Sequence, residues 1–235
     1  GNIRFKSSTN RTPRQCTPGK EGQIRRLGLE IKILADVGVF GSPNSGKSCF
    51  VNTVTNSKGK VADYPFTTLS PNLGVVFGKN MKNFVIADIP GLIAGASDGA
   101  GLGHHFLKHI QRTKLLLHFV DFSGLTLSSA STQASESEIV DSIKKNIYDI
   151  VFELKKFNDD LIKKPRWLIF TKVDLVPLKK REIRWKQIKK TLDFSPVFFV
   201  SSFSYEGVDA LLSKISNWLN KQDETGHFFT DDRRF

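Results

Sequence analysis

A chain of 235 residues, 39% hydrophobic and 25% charged, carries enough apolar material for one large globular domain with appendages. Its 35 Lys and Arg against 23 Asp and Glu leave a net charge of +12, which points to a polyanionic partner, either nucleic acid or an anionic membrane surface. No run approaches the roughly 18 apolar residues of a membrane span. Cys16 and Cys49 stand too far apart for a metal-spaced pair and make no disulfide framework, so a reducing, cytoplasmic setting is expected.

The opening GNIRFKSS has neither an initiator methionine nor a signal-peptide pattern and reads as part of a longer protein. Residues 1–33 hold eight Lys/Arg against Glu21 and Glu30, half of the net charge in about a seventh of the chain. Within them, IRRLGLEIKIL (24–34) alternates like a strand. From residue 34 apolar runs alternate with helical periodicity. Buried strands are expected at 34–41, 73–78, 83–89, 115–121, 166–171 and 197–202, the second and third joined by the turn GKNMK. Helices are expected at 46–55, 138–157, 179–192 and 207–220. That alternation predicts an α/β fold, a mostly parallel sheet with helices on both faces. Residues 123–137 are small and polar and read as a surface loop, and 227–235 as an irregular tail.

GSPNSGKS (41–48) fits G-x-x-x-x-G-K-[ST] between a strand and a helix. Gly41 and Gly46 let the backbone curl, so that N–H groups of the loop Ser42, Pro43, Asn44 and Ser45, in which Pro43 itself has none to donate, and of the following turn face a β-phosphate at a helix N-terminus. Lys47 reaches the β- and γ-phosphates, and the Ser48 hydroxyl can ligate Mg²⁺. Cys49, next in line, is open to two readings: an acidified thiol at a helix N-terminus, or a small buried side chain, the commoner role of a free cysteine.

Asp88 ends a strand and opens DIPG (88–91). Such an acid holds Mg²⁺ through water, and the Gly91 N–H, with Ile89 and Pro90 leading to it, senses a γ-phosphate. Upstream, YPFTTLSPNLG (64–74) offers Phe66, Thr67 and Thr68; either threonine can close on Mg²⁺ and the γ-phosphate, with Thr68 favoured. TKVD (171–174) follows the strand RWLIF at the sheet edge. The Asp174 carboxylate can accept from guanine N1–H and the exocyclic amine, donors that adenine lacks at those places. The Lys172 stem can lie over the ring and Val173 spaces the two. Thr171 replaces the usual asparagine, so guanine selectivity is expected to survive at somewhat reduced affinity. VSSF (200–203) follows the last strand: the Ser201–Ser202 backbone, with Phe203 after it, could donate an N–H to guanine O6, or the serines could simply cap a helix.

Together these stretches resemble the Obg family of GTPases, closely over 1–121 and again over 165–219, and most of all its bacterial members. VADYPFTTLSPNLGVV and DIPGLIAGASDGAGLGHHFLKHIQRT carry the resemblance more specifically than the P-loop does. It implies a Ras-like G domain at about 34–220, preceded in 1–33 by the end of a glycine-rich Obg domain and followed by a variable tail, 221–235. It further implies slow GTP hydrolysis to GDP with Mg²⁺, action in late assembly of the large ribosomal subunit with rRNA as partner, response to guanosine tetraphosphate, and a monomeric state. Leu92 stands where many GTPases carry a water-orienting glutamine. Three substitutes are open: Asn44, which in related GTPases with GxPNxGKS coordinates potassium; His104 or His105; and a partner-ordered loop containing Gly95, Gly99, Gly101 and Gly103. A related ATPase and a non-hydrolysing, nucleotide-gated rRNA-binding module are the alternatives. The cluster KKREIRWKQIKK (179–190) is either an RNA contact or a solvated helix face.

Overall fold

The computed structural model describes residues 2–14, 18–26, 35–55, 73–78, 81–88, 113–124, 135–157, 159–192 and 194–224. They fall into two compact units, Gly1–Lys32 and Ile33–Phe235. Among its described residues the first has one 3-10 turn, Asn2–Phe5, and a reciprocal backbone pair between Ser7 and Asn10 at 3.1 and 3.2 Å. In the stretch expected to form a strand at 24–34, residues 24–26 have no regular structure and Ile24 is fully exposed. The remainder of that stretch lies outside the described residues.

The second unit is built on a six-stranded sheet, in chain order β1 (Val37–Gly41), β2 (Leu73–Gly78), β3 (Met81–Asp88), β4 (Leu115–Asp121), β5 (Arg166–Thr171) and β6 (Val197–Phe199). The spatial order is β2-β3-β1-β4-β5-β6, and only the β2–β3 pair is antiparallel. The helices among the described residues are α1 (Lys47–Val54), α2 (Glu136–Phe157), the short α3 (Asp159–Ile162), α4 (Leu178–Lys189) and α5 (Val208–Glu224). This is the mixed, mostly parallel α/β architecture of a Ras-like P-loop G domain. None of the described helices is long and apolar enough to cross a membrane.

The central strands are apolar on both faces because each face is roofed by helices. On β4, Leu115, Leu117 and Phe119 join Phe50 of α1 and Leu211 and Ile215 of α5. On the opposite face, Leu116 and Val120 belong to clusters that include Ile143, Ile147, Ile150 and Leu154 of α2 and Ile188 of α4. His118 lies on the same face as Leu116 and Val120, with zero exposure, stacked on Phe40 at 4.7 Å.

Several boundaries moved for local reasons. Helix α2 starts inside the stretch read as a loop, because Ser135 and Glu138 form a reciprocal capping box: Glu138 N–H donates to Ser135 Oγ at 3.3 Å, and Ser135 N–H to Glu138 Oε2 at 2.9 Å. β3 begins at Met81, so the β2–β3 turn is tighter than GKNMK. β6 ends at Phe199, and 200–202 already form the descending loop. β5 is an interior strand between β4 and β6, so TKVD leaves the carboxyl end of the sheet, not its lateral edge. That end, beside the strand from which neighbours depart in both directions, is where α/β sheets bind ligands.

Candidate nucleotide-binding site

The turn after β1 can only be made by glycine. Gly41 has φ +148, and a Cβ there would lie 2.2 Å from the Phe119 carbonyl oxygen on β4. Gly46, at φ +87, is the left-handed cap from which α1 starts. Asn44, at φ 59, also adopts the left-handed region, which asparagine tolerates better than most residues. Its side chain is exposed and makes no hydrogen bond among the described residues. The first N–H groups of α1 have no acceptor within the helix and point out of its N-terminus. Ser45 is buried, whereas Ser42 is half-buried and Pro43 exposed on the rim.

Lys47 folds over this loop, its Nζ donating to the carbonyls of Gly41 at 3.0 Å and Ser42 at 2.8 Å. Burial holds its ammonium below the usual lysine range, against the pull of the Asp88 charge. Ser48 Oγ donates to Asp88 Oδ2 at 2.5 Å, joining the start of α1 to the end of β3. The other Asp88 oxygen is buried with no partner. Burial raises the Asp88 carboxyl, opposed by the Ser48 bond and the Lys47 charge. An ammonium short of anions, a hydroxyl and an orphaned carboxylate oxygen are thus gathered where a helix N-terminus opens. This is a donor set for a polyphosphate with a hard, oxygen-liking cation.

The second half of the site comes from β5 and β6. A cleft of about 350 Å³ is lined by Gly46, Cys49, Thr171, Lys172, Asp174, Leu175, Ser201, Ser202 and Phe203. Three motifs far apart in the chain therefore share one cavity, large enough for a heteroaromatic base. Thr171 is buried, and its hydroxyl contacts the Ser45 carbonyl at 2.7 Å and the Val120 carbonyl at 3.1 Å. The threonine in the asparagine's place works on the P-loop rather than on the base. Lys172 is held at φ 57, which tips Val173–Leu175 into a 3-10 turn anchored by buried Val173. Its Nζ is 2.8 Å from Asp121 Oδ2 at the end of β4. Asp174 is half-buried and has no hydrogen bond or ion pair among the described residues.

Two readings of the sequence are corrected here. Cys49 is exposed and faces the cleft; it is not a buried packing residue, because the first turn of α1 projects it away from the core. Ser201 cannot offer its N–H to a ligand, since that group donates to the Glu206 carbonyl at 2.9 Å. Its Oγ accepts from the Ser204 N–H at 3.0 Å. Both bonds close the tight loop before α5, whereas the neighbouring Ser202 N–H has no acceptor among the described residues. Phe203 is 88% exposed at the mouth of the cleft.

Asp121 was not singled out in the sequence, although an acid ending an apolar strand is the signal that drew attention to Asp88. Its Oδ1 accepts from the Ser123 N–H at 2.8 Å and hydroxyl at 2.5 Å, while Oδ2 holds Lys172. Arg184 of α4 braces the same loop from behind: its Nη1 donates to the Phe122 carbonyl at 2.5 Å, and its Nη2 pairs with Glu136 at 2.7 Å. Phe66, Thr67, Thr68, Ile89, Pro90 and Gly91 lie outside the described residues, as do Leu92, His104 and His105.

A P-loop at the carboxyl end of a mostly parallel sheet, with an acid-bearing base cleft beside it, defines a GTP-binding domain of the P-loop GTPase class. A family model described as "50S ribosome-binding GTPase" matches residues 36–172, and the chain belongs to that family. Solved structures agree on the fold. The chain is similar to the G domain of the FeoB iron transporter of T. maritima, at 22% identity and a TM-score of 0.53 over 80% of this chain and 99% of that one. It is similar to a putative nucleolar GTP-binding protein 1 of Plasmodium falciparum, at 21% identity and a TM-score of 0.51 over 85% and 93%. It is also similar to Era, solved with MgGDPNP and nucleotides of 16S ribosomal RNA, at 22% identity and a TM-score of 0.50 over 79% of this chain and 56% of that one.

Proposed function

We propose that this protein is a guanine-nucleotide switch of the Obg type, with residues 34–220 as its G domain and residues 1–33 as the end of an Obg domain. The single observation that carries the reading is the shared cleft, in which Gly46 of the P-loop, Asp174 and Ser202 line one cavity. In this reading the Gly41–Ser48 backbone wraps the β-phosphate, Lys47 leaves its two carbonyls for the β- and γ-phosphates, and Asp174 takes the guanine edge under the Lys172 stem. Ser48 would hold Mg²⁺ directly and Asp88 through water, the buried second oxygen of Asp88 being free for that water. Bound there, Mg²⁺ neutralises phosphate charge. Thr68 and Gly91 sense the γ-phosphate.

Leu92 cannot orient water, so intrinsic hydrolysis is slow. Asn44, exposed and without a hydrogen bond among the described residues, would offer its side-chain oxygen to a potassium ion, whose charge would offset negative charge developing in the reaction. The family description and the net charge of +12 support a role on the large ribosomal subunit, in its late assembly, with rRNA as the contacting polyanion. Guanosine tetraphosphate, which shares the guanine edge, is accommodated by the same cleft. The protein acts in the cytoplasm.

Phosphate release from GTP tests this reading, measured with and without large ribosomal subunits, in sodium and in potassium, for the wild type and Asn44→Ala. Slow turnover that rises in potassium and rises again with subunits is expected. Asn44→Ala should lose the potassium response, by about tenfold if one cation contact is worth roughly 1.4 kcal/mol. Equal rates in both salts would remove the Asn44 role, and no release under any condition would favour the non-hydrolysing module.

A further inference from the structure

Among the described residues five aromatic rings stand exposed outside the core, Phe77, Tyr148, Phe152, Phe203 and Tyr205, and two of them, Tyr148 and Phe152, share one helix. On α2 the buried stripe, Ile143, Ile147, Ile150 and Leu154, packs on the sheet. On the outer side Tyr148 is 52% and Phe152 60% exposed, four residues apart and therefore side by side along the helix. Lys145, one turn before Tyr148, is exposed, as are Lys155 and Lys156 at the other end. Lys156 Nζ lies over the Phe152 ring, 5.2 Å from its centre. The Tyr148 hydroxyl donates to the Thr191 carbonyl at 3.3 Å, which fixes the ring and brings exposed Lys189 and Lys190, at the end of α4, up to the strip. Asp149 and, one turn further on, half-buried Glu153 are the acids on its flank, and Glu153 feels the charge of Lys156.

We propose that this strip, from Lys145 along Tyr148 and Phe152 to Lys156 and across to Lys189 and Lys190, binds single-stranded RNA. Half-exposed rings at base-stacking reach, interleaved with ammonium groups, suit unpaired nucleotides: bases stack on the rings and phosphates meet the lysines. An anionic membrane would use the lysines but needs side chains that project into hydrocarbon, whereas Tyr148 is tied back to Thr191 and Phe152 lies under Lys156. On α4, Arg184 is turned inward as a brace, Arg181 is engaged with Glu206 and Lys180 with Glu136, and of its exposed lysines Lys189 and Lys190 are the ones next to Thr191, where Tyr148 is tied. This binding role rests on the proposed function only in taking RNA as the polyanion.

The test is fluorescence anisotropy of a labelled single-stranded RNA dodecamer of mixed sequence against the full chain, with GDP affinity and phosphatidylserine vesicles measured in parallel. The double variant Tyr148→Ala/Phe152→Ala should bind RNA at least about tenfold more weakly, with unchanged GDP affinity. Lys189→Ala/Lys190→Ala should flatten the salt dependence by about 0.7 per lysine removed, and Asp149→Lys should tighten binding. Equal RNA binding by wild type and the double variant would overturn the strip while leaving RNA as the partner. Wild type that binds no RNA, and whose GTP turnover ignores ribosomal subunits, would instead remove the ribosomal reading. Vesicle binding lost in the double variant while RNA binding persists would assign the strip to membranes.

Discussion

Replacing Asp174 by Asn lowers GDP affinity about a hundredfold or more and creates affinity for XDP. The guanine edge presents two donors, N1–H and the exocyclic amine, to a carboxylate that has no other partner among the described residues. Charge-assisted hydrogen bonds contribute roughly 1.5–3 kcal/mol each, and 1.4 kcal/mol is a factor of ten in Kd. An amide in the same place still accepts from N1–H but points its NH₂ at the amine, leaving two donors facing each other. Xanthine carries a carbonyl at that position, so the variant amide donates to it instead. Because Asp174 makes no internal bond, the fold should lose less than about 0.5 kcal/mol. Titration of both nucleotides into both proteins reads the exchange. A variant that loses GDP without gaining XDP would mean that Asp174 acts on the shape of the loop and not on the base.

The second large effect concerns acid. His118 is wholly buried on β4, stacked on Phe40, and neither ring nitrogen has a hydrogen-bond partner. Burial, with the Arg166 charge nearby as the lesser cause, pushes its pKa down from 6.5 to about 3. The folded state therefore keeps the imidazole neutral where the unfolded chain protonates it. Its cost is absent above pH 6.5, grows as pH falls through that value and levels off below pH 3. The size is about 2 kcal/mol at pH 5 and about 4 kcal/mol at pH 3. His118→Leu, similar in volume and unable to titrate, should remove that part of the pH dependence. Denaturant midpoints at pH 7.5 and pH 5 for both proteins check it: the wild-type stability drop should exceed the variant's by about 2 kcal/mol. Equal drops would mean that the imidazole is protonated in the fold.

What could be read in the sequence and what could not divides along physical lines. β4 and β5 were legible to the residue, at 115–121 and 166–171, because a strand buried on both faces is an unbroken apolar run. The P-loop and TKVD were legible because phosphate wrapping and base recognition tolerate few residue types in a fixed order. The start of α2 was legible in principle, as Ser135-x-x-Glu138, but was masked by the polar run before it. Other features depend on residues brought together only by folding. The fate of the Ser201 N–H hangs on Glu206 across a loop, and the Thr171 hydroxyl finds the P-loop 126 positions away. Within KKREIRWKQIKK nothing local distinguishes Arg184, which the fold turns inward onto Phe122 and Glu136, from the lysines it leaves outside.

The central claim is that the cleft between the P-loop and TKVD selects guanine. Displacement of labelled GDP from the wild-type chain by unlabelled GTP and by unlabelled ATP tests it most directly. GTP should displace the label at a concentration at least about a hundredfold below that required of ATP, since adenine leaves the Asp174 carboxylate unmatched. Displacement by ATP at the same concentration as GTP would contradict it.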